Sequence, residues 1–164
     1  MDFAARITRL PIPVDPARGQ SALQATGITD PRLGDLIRGA AGCSPYLAGL
    51  IAHEAEWLPD ALSNEDVVRR ETAGFDLLSA DALGPALRRA KRRVALWTAL
   101  ADLGGVWRLE QVTGALTDLA DRATDLALRV HVAAEHARGK LPATEADAGG
   151  IVALAMGKMG AGEL

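Results

Sequence analysis

A glycine-rich segment with one lysine lies near the end of the sequence and has the residue types that bind phosphate. Gly157, Lys158 and Gly160 follow the apolar run 151–156 (IVALAM), whose composition is typical of a strand buried on both faces. Backbone N–H groups of glycines and a nearby ammonium group bind phosphoryl oxygens. The segment is not a Walker A loop, because Met159 follows the lysine, and its glycine spacing differs from Gly-x-Gly-x-x-Gly. The alternative interpretation is a flexible turn that binds nothing.

A cationic cluster in the stretch 87–93 (LRRAKRR) is the second candidate site. On a helix, Arg88 and Arg92 lie in one row and Arg89 and Arg93 in another, and both rows flank an apolar stripe. One interpretation is a solvated helix face whose aliphatic stems cover the core. The other is a contact for phosphate or for an acidic partner, made by Arg88 and Arg92. Nucleic acid is disfavoured as that partner, because no aromatic residues are interleaved with the cations.

The histidines do not have the spacing of a metal site. His53 begins a His-Glu sequence, but the position of the second histidine in His-Glu-x-x-His is Trp57. His131 and His136 are five residues apart, so on a helix they point about 140° away from each other. The sequence therefore predicts no metal ligation by these residues.

The single cysteine and two glutamates have simple interpretations. Cys43 is the only cysteine, which excludes an internal disulfide and favours a reducing cytoplasm. The N-terminal sequence MDFAARITRLPIPVDPARG lacks the apolar core of a signal peptide. We interpret Cys43 as a small buried residue rather than a nucleophile, and Glu54 and Glu56 as exposed charges rather than acid–base catalysts.

Composition places the chain among helical proteins. Apolar residues make up 49% of the sequence but aromatic residues only 4%, which is typical of packed helices rather than of a β-sandwich. The formal net charge of −3 gives no global attraction to nucleic acid or to an anionic membrane. No apolar run reaches the roughly 18 residues of a membrane span. We therefore expect no nucleic-acid partner and no membrane partner.

Prolines and glycines divide the first half of the chain. Four prolines and two glycines in residues 10–31 predict an irregular lead-in, over residues 1–30, with a short helix around Ala22. A first helix is predicted to begin at Ser44, which can accept at the N-cap, and to stop at Pro59. A weaker helical stretch follows.

Two long helices are predicted next. The first extends from Pro85 to Leu103 and is stopped by glycines, and the second extends over 109–137, where apolar residues recur at alternating steps of three and four until Gly139. A helix of about 29 residues would be roughly 43 Å long and must pack along most of its length. The predicted organisation is a helical bundle over residues 31–140, then a strand and glycine loop over 149–164 that open an α/β domain.

Three stretches, in order, resemble the bacterial glutamine synthetase adenylyltransferase family. They are 43–58 (CSPYLAGLIAHEAEWL), 87–121 (LRRAKRRVALWTALADLGGVWRLEQVTGALTDLAD) and 155–164 (AMGKMGAGEL). The third is similar to the family's Gly-Lys-x-Gly-x-x-Glu-Leu opening of a nucleotidyltransferase fold. The fold class implied is mainly α, a helical bundle leading into the first strand of a truncated α/β nucleotidyltransferase-like domain.

This resemblance implies a bifunctional enzyme of nitrogen assimilation. One half removes AMP from a tyrosine of glutamine synthetase by phosphorolysis to ADP, and the other half adds AMP from ATP. Met1 and the length of chain before the glycine motif suggest the N-terminal, AMP-removing half. Partners implied are glutamine synthetase, a PII-type signalling protein, ATP or ADP, and phosphate.

The resemblance also assigns roles to residues. Gly157, Lys158 and Gly160 would lie near phosphate, whereas the Ser-Asp-x-Asp acids that hold Mg²⁺ in the family lie beyond Leu164. We therefore expect the 164-residue chain to be catalytically inactive. The alternative is a non-catalytic helical module that binds an acidic partner through Arg88 and Arg92.

Overall fold

The computed structural model describes residues 3–64, 66–71, 73–141 and 147–164, and it is mainly helical, as predicted. The helices are α1 (Phe3–Arg6), α2 (Pro16–Thr26), α3 (Pro31–Cys43), α4 (Pro45–His53), α5 (Leu58–Leu62), α6 (Val67–Arg70), α7 (Ala80–Leu103), α8 (Leu109–Ala137) and α9 (Gly157–Gly160). Short 3₁₀ turns occur at Phe75–Leu77 and Asp147–Gly150. Within the described residues, no helix has both the length and the apolar character needed to cross a membrane.

Prolines begin helices in the first half of the chain instead of excluding them. Pro16, Pro31 and Pro45 each occupy the first turn of a helix. The residue before each of them, Asp15, Asp30 or Ser44, accepts a hydrogen bond from a backbone N–H of that turn. A proline at the first helical position loses nothing, because its missing N–H would have had no intrahelical partner. The helix predicted around Ala22 is confirmed as α2, which has 11 residues, whereas α3 was not predicted as a separate helix.

The predicted stop at Pro59 was wrong for the same reason. Helix α4 already ends at His53, and Pro59 lies in the first turn of α5. Likewise α7 begins at Ala80, capped by Ser79, and so contains Pro85 rather than starting there.

The N-terminal arm, residues 7–15, crosses the bundle in an irregular conformation. The N–H of Thr8 donates to the carbonyl of Gly104 at 2.8 Å. Pro11 and Pro13 pass so close to α3 that a Cβ at Gly39 or Gly42 would overlap them. Two helix glycines therefore allow the arm to lie directly on α3.

The main core lies between α1–α5 and the C-terminal half of α7. Trp97 is at its centre, with its ring centroid 5.4 Å from that of Phe3 and 4.5 Å from that of Trp107. A smaller cluster joins the N-terminal half of α7 to α8 through Leu83, Ala90 and neighbouring residues. Helix α8 is thus attached to the bundle mainly through α7.

The bounds predicted for α8 are confirmed, but its seam is only partly covered. The helix has 29 residues and is followed by Gly139, whose φ is +70°. Leu126 is buried, whereas Leu109 is 68% exposed. The expectation that α8 packs along most of its length is not met within the described residues.

The apolar run 151–156 does not form a strand, although a strand was predicted there. Val152, Leu154 and Met156 are 74–85% exposed. A strand needs a neighbour to accept its backbone hydrogen bonds, and the described part of the chain contains no other strand. The run lies instead beside α8, where it lines an open groove with Thr124 and Leu128.

The N-cap of α4 can be tested by Ser44→Ala. This change removes the acceptor of the Leu47 N–H, at 3.2 Å, and is expected to lower the free energy of unfolding by about 1 kcal/mol in urea denaturation. Ser21→Ala is the matched control, because its hydroxyl bonds back to the carbonyl of Ala17 inside α2. Equal losses in the two variants would contradict a capping role for Ser44.

Candidate phosphate-binding turn and cationic cluster

The glycine segment folds into a single tight turn. Gly157 has φ of +62° and Gly162 of +73°, a region that other residues rarely adopt. A Cβ at Gly160 would lie 2.5 Å from the carbonyl oxygen of Ala155. The turn is closed by backbone bonds, including that from the N–H of Glu163 to the carbonyl of Lys158 at 2.8 Å. Each of these glycines therefore has a conformational reason to be glycine.

The turn is open to solvent. Gly157, Lys158 and Gly160 are all exposed. The first N–H groups of so short a helix have no acceptor within it. An exposed ammonium beside such N–H groups is chemically able to bind a phosphoryl group, and the same geometry also fits a simple solvated turn.

The structure divides the cationic cluster into two groups. Arg92 and Arg93 point into the bundle, where their Nε atoms lie 3.0 and 2.8 Å from the two carboxylate oxygens of Glu54. Arg93 also pairs with Glu71 at 3.2 Å and lies 4.8 Å from the centroid of the Trp57 ring. Arg92 thus forms an internal ion pair, and the predicted contact of Arg88 and Arg92 with phosphate or an acidic partner stays a prediction.

The second group is exposed and consists of Arg88, Arg89 and Lys91. Arg88 and Arg89 lie one helical turn before Arg92 and Arg93 on α7, whereas Lys91 lies about 100° from Arg92 around the helix. Arg88 and Lys91 line a groove with Leu164, and Lys158 is not part of that groove. The structure thus does not bring the two predicted sites together as one.

Glu54 is a buried acidic residue whose burial was not predicted from the sequence. It was predicted to be exposed, but its side chain is only 5% exposed. Burial raises the pKa of this carboxyl group, but the hydrogen bonds and charges of Arg93 and Arg92 outweigh that effect and hold the pKa below its ordinary value. Nothing in the local sequence distinguishes Glu54 from Glu56, which is exposed.

The structure also shows where Cys43 lies and whether possible metal ligands are close to one another. Cys43 is exposed, contrary to prediction, because it ends α3 at the surface. Its thiol donates to the carbonyl of Ile12 at 3.0 Å. In the described ranges, no three His, Cys, Asp or Glu side chains come together as a metal site, so the residues present do not fit a magnesium centre.

Comparison with known proteins gives consistent matches. Over residues 34–164 the chain matches the family described as Glutamate-ammonia ligase adenylyltransferase. It is also similar to bacterial proteins described as bifunctional glutamine synthetase adenylyltransferase/adenylyl-removing enzyme. No solved structure matches the chain significantly.

Three of these relatives cover most of the chain. A Bradyrhizobium protein is 41% identical over 87% of this chain and 15% of its own length. A Rhodopseudomonas palustris protein is 38% identical over 91% of this chain and 16% of its own length. A Caulobacter vibrioides protein is 38% identical over 90% of this chain and 16% of its own length. The chain therefore spans about one sixth of the length of the relatives it matches.

Proposed function

Because the chain belongs to the glutamate-ammonia ligase adenylyltransferase family, we propose that it is part of a bifunctional enzyme that modifies glutamine synthetase. The relatives' names describe two activities, adenylyl transfer and adenylyl removal. This chain belongs to the half that removes AMP. Its role there is to supply a helical bundle and the phosphate-binding turn of the nucleotidyltransferase domain.

The removal reaction is a phosphorolysis. An oxygen of inorganic phosphate attacks the phosphorus of the AMP group, the bond from that phosphorus to the tyrosine oxygen breaks, and the tyrosine oxygen takes up a proton. The products are ADP and unmodified glutamine synthetase. The opposite half of the enzyme attaches AMP from ATP to the same kind of tyrosine.

Lys158 and the N–H groups of the Gly157–Gly160 turn orient the phosphoryl oxygens in this proposal. The observation that carries it is the exposed ammonium of Lys158 on a turn whose glycines are required by conformation. Mg²⁺ would neutralise phosphoryl charge. Its Ser-Asp-x-Asp ligands are not in this sequence.

The apolar run 151–156 becomes the first strand of that domain when further strands are present. Its support is the exposure of Val152, Leu154 and Met156, since soluble proteins rarely leave such runs uncovered. Partners of the enzyme are glutamine synthetase, a PII-type signalling protein, ATP or ADP, and phosphate. A single cysteine is in keeping with the cytoplasm.

The first test is an assay of the 164-residue chain with adenylylated glutamine synthetase, phosphate and Mg²⁺. We expect no ADP release, because the chain lacks the Ser-Asp-x-Asp acids. A longer polypeptide that includes this motif is the positive control. Release of ADP by the 164-residue chain would contradict the assignment of the metal ligands to a later segment. A reading frame that continues without Ser-Asp-x-Asp would contradict the enzyme proposal itself.

The second test is Lys158→Ala in the longer polypeptide. Loss of the ammonium is expected to lower kcat/KM for phosphorolysis about tenfold, because one charge-assisted contact to phosphoryl oxygen is lost. Lys140→Ala is the control, because Lys140 is an exposed lysine paired with Glu135 at 3.3 Å. Full activity of Lys158→Ala would remove Lys158 from the site.

A further inference from the structure

An apolar groove of about 440 Å³ lies between α7 and α8. Residues 87–95 of α7 and 116–123 of α8 line it, and the short connection between Leu103 and Leu109 makes the two helices antiparallel neighbours. The groove is lined by the apolar side chains of Leu87, Ala95, Leu116, Leu119, Ala120 and Ala123. Alanines let another helix approach closely, and two adjacent helices form a groove into which a third helix can pack.

Two cations line the same groove. Arg88 and Lys91 are three residues apart on α7, so they share one face of the helix. Both are exposed, and neither forms an ion pair with another residue in the described part of the chain. Arg92 and Arg93 differ because they already form ion pairs with Glu54 and, for Arg93, also with Glu71. The groove therefore combines an apolar floor with uncompensated positive charge.

Leu164 forms part of the wall of the groove. The side chain of Leu164 lines it, and the N–H of Leu164 lies 3.4 Å from the hydroxyl oxygen of Thr117, a buried residue of α8. Leu164 is itself 38% exposed.

We propose that this α7–α8 groove binds an amphipathic helix of a partner protein, whose apolar stripe is flanked by carboxylates. Leucine-like residues of the partner would occupy the floor, and its Asp or Glu side chains would pair with Arg88 and Lys91. Nucleic acid would place phosphates beside the same cations but would leave the apolar floor exposed to water. This inference does not depend on the proposed enzymatic activity.

The experiment selects binders from a displayed library of amphipathic helices with a fixed leucine stripe and randomised flanking positions. The target is the 164-residue chain, and dissociation constants of selected peptides are measured by fluorescence anisotropy. We expect enrichment of Asp and Glu beside the stripe. We also expect the double substitution Arg88→Glu and Lys91→Glu to weaken binding about tenfold or more, since two opposite charges become like charges.

Arg89→Glu is the matched control, because Arg89 is an exposed cation of α7 that does not line the groove. It should change the dissociation constant less than about twofold. Ala123→Trp fills the groove without changing charge and should also abolish binding, with the fold of each variant checked by circular dichroism.

Four outcomes would overturn the proposal. The first three are a lack of enrichment above the starting library, selected peptides without acidic flanks, and equal losses for Arg89→Glu and the double variant. A fourth is dimerisation in analytical ultracentrifugation that Ala123→Trp prevents, since the occupant would then be a second copy of the chain.

Discussion

Replacing Glu54 by alanine is expected to lower the free energy of unfolding by about 3–5 kcal/mol. The change removes the carboxylate that lies 3.0 Å from Arg92 and 2.8 Å from Arg93. Arg93, whose side chain is 23% exposed, would retain its ion pair with Glu71, whereas Arg92 would lose its ion pair with Glu54. Urea denaturation near neutral pH, followed by circular dichroism, measures the loss.

Glu56→Ala is the matched control, because Glu56 lies two residues away and is exposed. Its substitution should change stability by less than about 0.5 kcal/mol. If Glu54→Ala and Glu56→Ala lower the free energy of unfolding by equally small amounts, the ion pairs between α7 and the end of α4 contribute little to stability. A large difference would show that Arg92 and Arg93 have a structural role.

The same carboxylate should make stability depend on pH in the acid range. Burial raises the pKa of Glu54, but Arg93 and Arg92 lower it further, so the net value in the folded chain is below the ordinary 4.5. A depressed pKa stabilises the fold at pH values above 4.5, and this contribution is lost as pH falls through the folded pKa. Glu54→Gln should lose less stability on acidification than the unsubstituted chain. Parallel acid titrations of the two would contradict this.

The long helices could be predicted from sequence because their signals are local. Apolar residues repeat at steps of three and four through α8, and a glycine with positive φ follows it. Such periodicity needs no knowledge of the rest of the fold. The C-terminal end of α7 at Leu103, before two glycines, was predictable for the same reason.

The helices in the first half of the chain were harder to predict, because proline has two opposite effects on helices. It excludes a helix interior, yet it begins α2, α3 and α4 when an Asp or Ser precedes it. The number of prolines in residues 10–31 therefore favoured the prediction of an irregular segment. The Asp-Pro and Ser-Pro pairs were the available signal for the second effect.

The pairing of charges could not be predicted, because it depends on contacts between distant residues. Glu54 and Arg93 are 39 positions apart, and only the packing of α7 against α4 brings them together. The strand prediction at 151–156 has a related limit. Apolar composition indicates burial, but a strand also requires partner strands to pair with.

Trp97→Ala is the second substitution with a large expected effect, about 3–5 kcal/mol of unfolding free energy. Trp97 is 1% exposed and contacts Phe3 and Trp107 edge to face. Its indole N–H also donates to the carbonyl of Ala61 at 3.1 Å, so truncation leaves a cavity and removes one donor to that carbonyl, which keeps the N–H of Asn64 at 3.3 Å. Trp97→Phe should lose less than Trp97→Ala, because it keeps most of the volume.

The N-terminal arm provides a second measurement for this substitution. Since Phe3 of α1 packs on Trp97, loss of the indole should loosen the arm before the whole bundle unfolds. Hydrogen exchange of the Thr8 amide, which donates to Gly104, is therefore expected to accelerate more than that of amides in the middle of α8. Tyr46→Ala is the control, because Tyr46 is an aromatic residue that is 61% exposed and should affect neither measurement. Unchanged exchange at Thr8 in Trp97→Ala would mean that the backbone bonds of residues 7–9 hold the arm without help from the core.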